Sequence, residues 1–205
     1  AYLGTMALQS ALLRYTFSVS LALGTCCAAE AQPSIFTIHV NDDVVGQVRV
    51  SRGMVGTRMI YSMVSLSEVM VVWPQVIRTS MITEYAGERI TACKSSVHVN
   101  GSVRDSSHMR VHPTGLEGFV HPKRTVTKPC TNSWSTARMY YEEPIGQSRI
   151  YVESVLDDCV LEALGGGRYK LTMPDKKVNF YTYHAGVLQE ILVDRTFFDL
   201  VFKRV

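Results

Sequence analysis

Three histidines are the residues of this sequence whose type and spacing most directly suggest chemistry. His108 and His112 are four residues apart, so they would share one face of an extended strand, and His98 could join them from a neighbouring strand. Three converging neutral imidazoles bind Zn²⁺ or Cu²⁺. No motif that combines His with Asp or Glu accompanies them, and histidines are common on polar strands. A metal site is therefore the alternative hypothesis here, and no cofactor is expected.

The motifs of common catalytic sites are absent from the sequence. There is no G-x-S-x-G nucleophile elbow, and Gly165-Gly166-Gly167 is not followed by the Lys-Ser/Thr of a phosphate-binding loop. Glu142-Glu143 and Asp157-Asp158 are adjacent pairs, so an extended or helical backbone would point the two side chains of each pair apart. The sequence favours a non-catalytic protein, and a secreted hydrolase or metal-dependent enzyme with a dispersed site is the alternative.

A set of aromatic and methionine side chains suggests a second kind of site. A curved sheet with a helix across its mouth would form a concave apolar groove, and such grooves bind lipids or small apolar ligands. The same residue types also form ordinary cores, and we favour that interpretation because aromatic and Met stripes usually pack inward. The candidate ligand-binding residues are Met59, Tyr61, Met63, Trp134, Tyr140, Tyr181 and Tyr183.

The first 31 residues have the pattern of a secretory signal peptide. Arg14 precedes an apolar run over 15–23, which is shorter than the ~20 residues of a membrane span. Small residues follow and end in Ala29-Glu30-Ala31, so we expect cleavage after Ala31 or Ala29. Met6 could be the true start, with 1–5 as upstream read-through. The prediction is an exported protein, periplasmic or extracellular, with lipoprotein anchoring at Cys26 as the alternative.

The five cysteines are compatible with export. Cys26 and Cys27 would leave with the signal peptide, so Cys93, Cys130 and Cys159 would remain. An odd number allows one internal disulfide and one thiol. Cys93 lies in a strand pattern typical of a core residue, and the predicted disulfide joins Cys130 to Cys159.

Turn signals recur about every ten residues between alternating runs, which is typical of an antiparallel all-β meander. They include Asn41-Asp42-Asp43, Asn100-Gly101, Met173-Pro174-Asp175 and His184-Ala185-Gly186. Asn-Gly is the strongest of them, because a type I′ turn needs positive φ twice. The apolar run Val69 to Trp73 predicts burial on both faces or a short helical piece.

One amphipathic helix is predicted at about 131–142, with Trp134, Ala137 and Tyr141 on its apolar face and an Arg138–Glu142 pair. Such a helix usually packs across an open sheet face. The fold class is therefore mainly β, an antiparallel meander curled into a half-barrel or open barrel with this helix packed across it. Residues 34–205 form one domain.

Composition excludes one class of partner. The net charge of +3 and the dispersed Lys and Arg residues do not predict nucleic-acid binding. After signal cleavage no transmembrane segment would remain.

The chain resembles a family of exported bacterial all-β domains of unknown function over residues 34–205. The resemblance is carried by Glu143-Pro144, Glu153-Ser154, Arg168-Tyr169-Lys170-Leu171, Pro174-Asp175, and the spaced Asn179, Tyr181, Tyr183 and Gly186. It implies a sheet curled around a helix, outside the cytoplasm, and it brings no catalytic residues. The resulting expectation is a non-catalytic envelope or periplasmic protein that binds a hydrophobic ligand or a protein partner.

Overall fold

The computed structural model describes residues 32–70, 72–122, 124–127, 133–194 and 199–205. Within them fourteen strands form one antiparallel sheet. The strands are β1 (Ser34–Val40), β2 (Asp43–Val55), β3 (Arg58–Met70), β4 (Pro74–Ala86), β5 (Arg89–Val99), β6 (Ser102–His112), β7 (Gly115–Val120), β8 (Arg124–Val126), β9 (Arg149–Val152), β10 (Asp157–Gly165), β11 (Arg168–Thr172), β12 (Val178–His184), β13 (Val187–Val193) and β14 (Leu200–Arg204).

The sheet consists of two meanders joined side by side. Strands β1 to β8 each pair with the next, and so do β9 to β14, while β1 pairs with β14 at the junction. Strands β8 and β9 are the two edges, so the sheet is not closed. The predicted mainly β fold, an antiparallel meander that stays open, is confirmed.

The predicted hairpin turns are formed as their residue types require. Asn100 and Gly101 have φ of 50° and 83°, the two positive values of a type I′ turn. Ala185 and Gly186 have φ of 49° and 77° between β12 and β13. These turns set the strand registers, and the registers decide which side chains face inward.

The predicted helix at about 131–142 is wrong in length. The single helix of the described residues, α1, covers only Thr136–Met139. Ser135 forms a parallel bridge with Tyr151 of β9, and the Trp134 carbonyl accepts the Tyr151 N–H at 2.8 Å. Residues held in extended pairing cannot also be helical, so the helix begins one residue later. Residues 131 and 132 lie outside the described part.

The segment containing α1 fills the concave side of the curled sheet, as expected for the helix. Met139 is fully buried, and α1 contacts β3, β4 and β9. The Tyr140 ring lies edge-on against Phe36 of β1, with centroids 5.6 Å apart. The Tyr183 hydroxyl of β12 donates to the Met139 carbonyl at 2.6 Å. Both meanders therefore share one core around this segment.

No helix in the described residues has the length and apolarity needed to cross a membrane. The predicted signal peptide (1–31), the read-through at 1–5 and the alternative anchor Cys26 lie outside the described residues.

Candidate functional site

The structure does not bring the three candidate metal-binding histidines together. His108 and His112 are four residues apart on extended β6, a separation of about 13 Å. The His108 ring packs near Phe119, and His112 Nε2 lies 3.5 Å from a Glu117 carboxylate oxygen. His98 pairs with Val103 at the far end of β6. Among the described residues no three His, Cys, Asp or Glu side chains are grouped as metal ligands.

The seven candidate ligand-binding residues lie in or against the core. Tyr61, Tyr140, Tyr181 and Tyr183 are buried. The remaining three, Met59, Met63 and Trp134, are partly buried and pack against the same core. Their binding of a ligand stays a prediction, and any ligand among them would have to displace packed side chains.

The predicted disulfide also stays a prediction, because Cys130 lies outside the described residues. Cys159 is buried on β10. Burial, followed by the neighbouring Asp157 charge, raises the pKa of its thiol to about 11. A thiol with so high a pKa is a poor nucleophile near neutral pH.

Glu153, between β9 and β10, is a fully buried carboxylate bound by neutral donors. Thr83 of β4 donates its hydroxyl at 2.8 Å and the Ala137 N–H donates at 3.2 Å, both to Oε1. The Thr136 hydroxyl donates to Oε2. The Ser107 hydroxyl of β6 donates to the Glu153 backbone carbonyl at 2.5 Å. This one residue therefore ties α1 to the β4–β6 wall, a structural role rather than an exposed reactive one.

An ionic cluster closes the lower end of the curled sheet, near the turns at 56–57 and 87–88. Arg138 pairs with Glu142 at 2.9 Å, which confirms the predicted pair, and with Glu88 at 2.5 Å. Its guanidinium lies 4.4 Å above the Trp134 ring centroid. Arg52 of β2 also pairs with Glu142, at 3.6 Å. The lower end is thus covered by paired charges and stacked cations.

The interior tyrosines are held in their neutral form. Burial, reinforced by the Glu153 charge, raises the pKa of Tyr85 far above its usual range, and its hydroxyl donates to Ser135 at 2.8 Å. Burial likewise raises the pKa of Tyr183, with smaller effects from neighbouring groups. Burial raises the pKa of Tyr141 to about 12. None of these hydroxyls is suited to accept a proton transfer near neutral pH.

A groove of about 760 Å³ lies over the outer side of β1, β2 and β3. Gln47 pairs with Leu66 and Arg49 with Val64, in alternation with the buried Val48. Side chains alternate between the two faces of a sheet, so these four point outward. The lining residues are Thr37, Val44, Val45, Gly46, Gln47, Arg49, Val64, Ser65, Leu66, Ser67 and Glu68.

The groove combines an apolar floor with a cation. Val44, Val64 and Leu66 are 63%, 58% and 45% exposed, so their apolar surface is available to a ligand. In the part of the chain that the structure describes, Arg49 forms no ion pair. Glu68, the acidic lining residue, is four residues from Val64 along β3, about 13 Å away. The groove therefore has a cationic end, an apolar middle and an anionic end.

The prediction that the apolar run from Val69 to Trp73 is buried on both faces, or is a short helical piece, is wrong. Only Val69 is buried, whereas Met70, Val72 and Trp73 are 72%, 79% and 59% exposed. The run is the end of β3 and its turn into β4, at the upper end of the sheet. Residue 71 lies outside the described part. The strand pattern indicated the pairing of β3 with β4, but apolar composition alone could not indicate that pairing with the neighbouring strands ends before this turn.

Sequence reasoning missed both the groove and Glu153. Its ligand candidates were chosen for aromatic and methionine character, whereas the exposed apolar residues of the groove are the aliphatic Val44, Val64 and Leu66, set among polar residues of β1, β2 and β3. The available signal was Val64 and Leu66 on the opposite face from Tyr61 and Met63, because one face of β3 must turn outward.

Comparison with known proteins places the fold without assigning a function. The family profile described as a domain of unknown function, DUF6134, matches residues 36–205. No curated protein matches the sequence. A solved structure of similar fold is a β-barrel-like protein of the domain of unknown function DUF1849 from Brucella abortus. Its TM-score is 0.54 at 10% identity, and the match covers 84% of this chain and 94% of that one.

Proposed function

The chain belongs to the DUF6134 family of domains of unknown function, and we propose that it is an exported, non-catalytic binding protein for an amphipathic ligand. The ligand has an aliphatic chain and an anionic head group, as a fatty acid does. One observation carries the proposal: a groove with an aliphatic floor, on whose wall the cation Arg49 forms no ion pair with any described residue.

The volume and composition of the groove suit such a ligand. Small-molecule sites usually measure about 300–1,000 Å³ and combine an apolar lining with a few polar groups that fix orientation. Val44, Val64 and Leu66 would contact the aliphatic chain, while Arg49 would hold the head group by charge-assisted hydrogen bonds. Glu68 at the other end disfavours a second anionic group there.

The groove is shaped by a close approach of two strands. At Gly46 an added Cβ would lie 2.2 Å from the Leu66 carbonyl oxygen, so only glycine fits. Beside it the pairing of β1 with β2 shifts between Ile38 and His39, a bulge that bends the strand. The concavity is therefore built into the backbone and is present before a ligand binds.

Dodecanoate binding tests the proposal. Native mass spectrometry would detect the complex, and displacement of a fluorescent fatty acid would give its dissociation constant. Arg49→Gln removes a charged hydrogen-bond donor, so we expect affinity to fall about 10- to 100-fold. The matched control is Arg110→Gln, because Arg110 is an exposed arginine of β6 that does not line the groove.

A second pair of variants tests the apolar floor. Leu66→Asp would set a carboxylate against the uncharged aliphatic chain and abolish binding, whereas Val160→Asp, at an exposed valine of β10, would leave binding unchanged. Equal affinity of the wild type and both groove variants would contradict the proposal, as would the absence of any dodecanoate complex. Export is tested separately, by the N-terminal residue of protein recovered from the cell envelope.

A further inference from the structure

The pairing within the β3–β4 hairpin continues beyond the pairing of this hairpin with the strands on either side. The β2–β3 pairing ends at Gly46 with Ser67, and the β4–β5 pairing ends at Ile77 with Val99. The β3–β4 pairing continues to Met70 with Pro74. We define Met70, Val72 and Trp73 as the hairpin tip. Its apolar side chains therefore project from the upper end of the sheet.

The base of the tip is fixed in place. The Val76 N–H donates to Asn100 Oδ1 at 2.9 Å, and the Asn100 N–H donates to the Val76 carbonyl at 2.9 Å. Asn100 belongs to the β5–β6 turn, so the neighbouring hairpin braces β4 just below the tip. A braced, projecting turn can enter another phase without unfolding the strands that carry it.

From this geometry we infer that the hairpin tip docks the protein on an anionic lipid surface. Trp is enriched at membrane–water interfaces, where its ring sits at the level of the head groups, and Met and Val supply apolar surface for the acyl region. Met70, Val72 and Trp73 are 72%, 79% and 59% exposed. Without a partner surface, so large an exposed apolar patch would only lower the solubility of the protein.

One flank of the tip carries two arginines against one exposed aspartate, Asp105, and is net positive. Arg78 of β4 lies four residues below Pro74, about 13 Å, and pairs in register with His98. Arg104 is exposed at the bulge between β5 and β6. Within the described ranges neither arginine forms an ion pair. Both arginines come closer to the head groups when the molecule tilts toward β4–β6.

The opposite flank carries the opposite sign. Glu68 lies two residues below Met70 on β3, and Asp42 and Asp43 lie at the β1–β2 turn. An anionic surface repels this side and attracts the arginine side, so the molecule approaches tilted toward β4–β6. The groove then opens beside the contact, with Met70 on the same face of β3 as Leu66. This last point rests on the proposed function; the docking itself does not.

Vesicle binding by the full chain tests the inference. Sedimentation with vesicles of phosphatidylcholine alone is compared with vesicles containing phosphatidylglycerol. The double variant Met70→Ser/Trp73→Ser should lose at least tenfold in affinity. Its matched control, Val160→Ser/Val187→Ser, removes two exposed valines elsewhere and should bind like the wild type. Arg78→Gln/Arg104→Gln should lose about 30-fold on the anionic vesicles alone, at ~1 kcal/mol per arginine.

The position of Trp73 is measured directly. The chain has two tryptophans, so Trp134→Phe leaves Trp73 as the sole emitter. Its emission should shift to the blue on anionic vesicles and be quenched by lipids brominated along the acyl chain. Unchanged emission, or sedimentation unaffected by the tip variant, would overturn the inference. So would a dimer in light scattering that dissociates in the tip variant, because self-association would then account for the exposed tip.

Ligand binding in the groove and docking by the hairpin tip can be refuted independently of each other. The tip variant retains dodecanoate binding if the groove is the ligand site, and Leu66→Asp retains vesicle binding if the tip is the anchor. Loss of vesicle binding in Leu66→Asp but not in the tip variant would refute the assignment of docking to the tip.

Discussion

Replacing Glu153 by glutamine should reduce the free energy of unfolding by about 2 kcal/mol. The amide oxygen can still accept from Thr83 and Ala137, and the amide group can donate to Thr136, so the shape of the site is kept. The bonds lose their charge assistance, however. Hydrogen bonds to charged groups contribute about 1.5–3 kcal/mol, against about 0.5–1.5 kcal/mol for neutral ones.

A double-mutant cycle isolates this effect from the cost of burying the charge. Thr83→Val removes one donor at nearly constant volume and should cost about 2 kcal/mol in the wild type. In the Glu153→Gln background it should cost about 1 kcal/mol, a coupling energy of about 1 kcal/mol. Urea unfolding with an unchanged m-value gives each free energy. Glu162→Gln, at an exposed glutamate of β10, is the control and should stay within about 0.5 kcal/mol.

The desolvation cost of the buried carboxylate opposes its hydrogen bonds and defines the result that would refute this prediction. Burial of an unpaired charge is costly, and replacing buried charges by neutral groups can be stabilising. A Glu153→Gln variant as stable as the wild type, with zero coupling to Thr83, would mean that the desolvation cost of the carboxylate cancels its hydrogen bonds.

Three further predictions concern packing and titration. Gly46→Ala should lower the free energy of unfolding by about 3 kcal/mol or more, because its Cβ would overlap a β3 carbonyl oxygen. Gly53→Ala, where the added Cβ meets open space, should cost little, and urea unfolding of the two variants gives the comparison. The pKa values of Tyr141 and Tyr183 are higher in the folded state than in the unfolded state. Their contribution to the free energy of unfolding is therefore fully present below about pH 10 and is lost as the pH rises through their folded-state pKa values. Tyrosinate absorbance should therefore rise abruptly on alkaline unfolding. Alkylation of Cys159 at pH 8 should be slow until urea unfolds the chain.

The strands could be predicted from the sequence because turn residues and the alternation of side chains act over a few neighbouring residues. The Asn100-Gly101 turn needs two positive φ angles, and few residue pairs supply them. Alternation then assigns inner and outer faces, as at Tyr61 and Val64. The resulting antiparallel meander is the observed one, including its openness.

Features set by the ends of neighbouring strands were not predictable in this way. The helix is short because Ser135 pairs with Tyr151, sixteen residues later in the chain, and no helix propensity reports that pairing. The tip is exposed because the pairing of β3 with β2 and of β4 with β5 ends before the tip is reached. Burial of Glu153 depends on donors from β4 and α1, which meet it only after the sheet has curled.

The junction of the two meanders has a consequence for the timing of folding. Each meander consists of hairpins between consecutive strands, which form quickly because they close short loops. The β1–β14 ladder instead joins distant parts of the chain, and Arg204 donates to Ser34 across 170 residues. During synthesis that ladder cannot form until β14 has emerged from the ribosome. The core that the two meanders share therefore cannot be completed before β14 has been made, however early the hairpins of the first meander form.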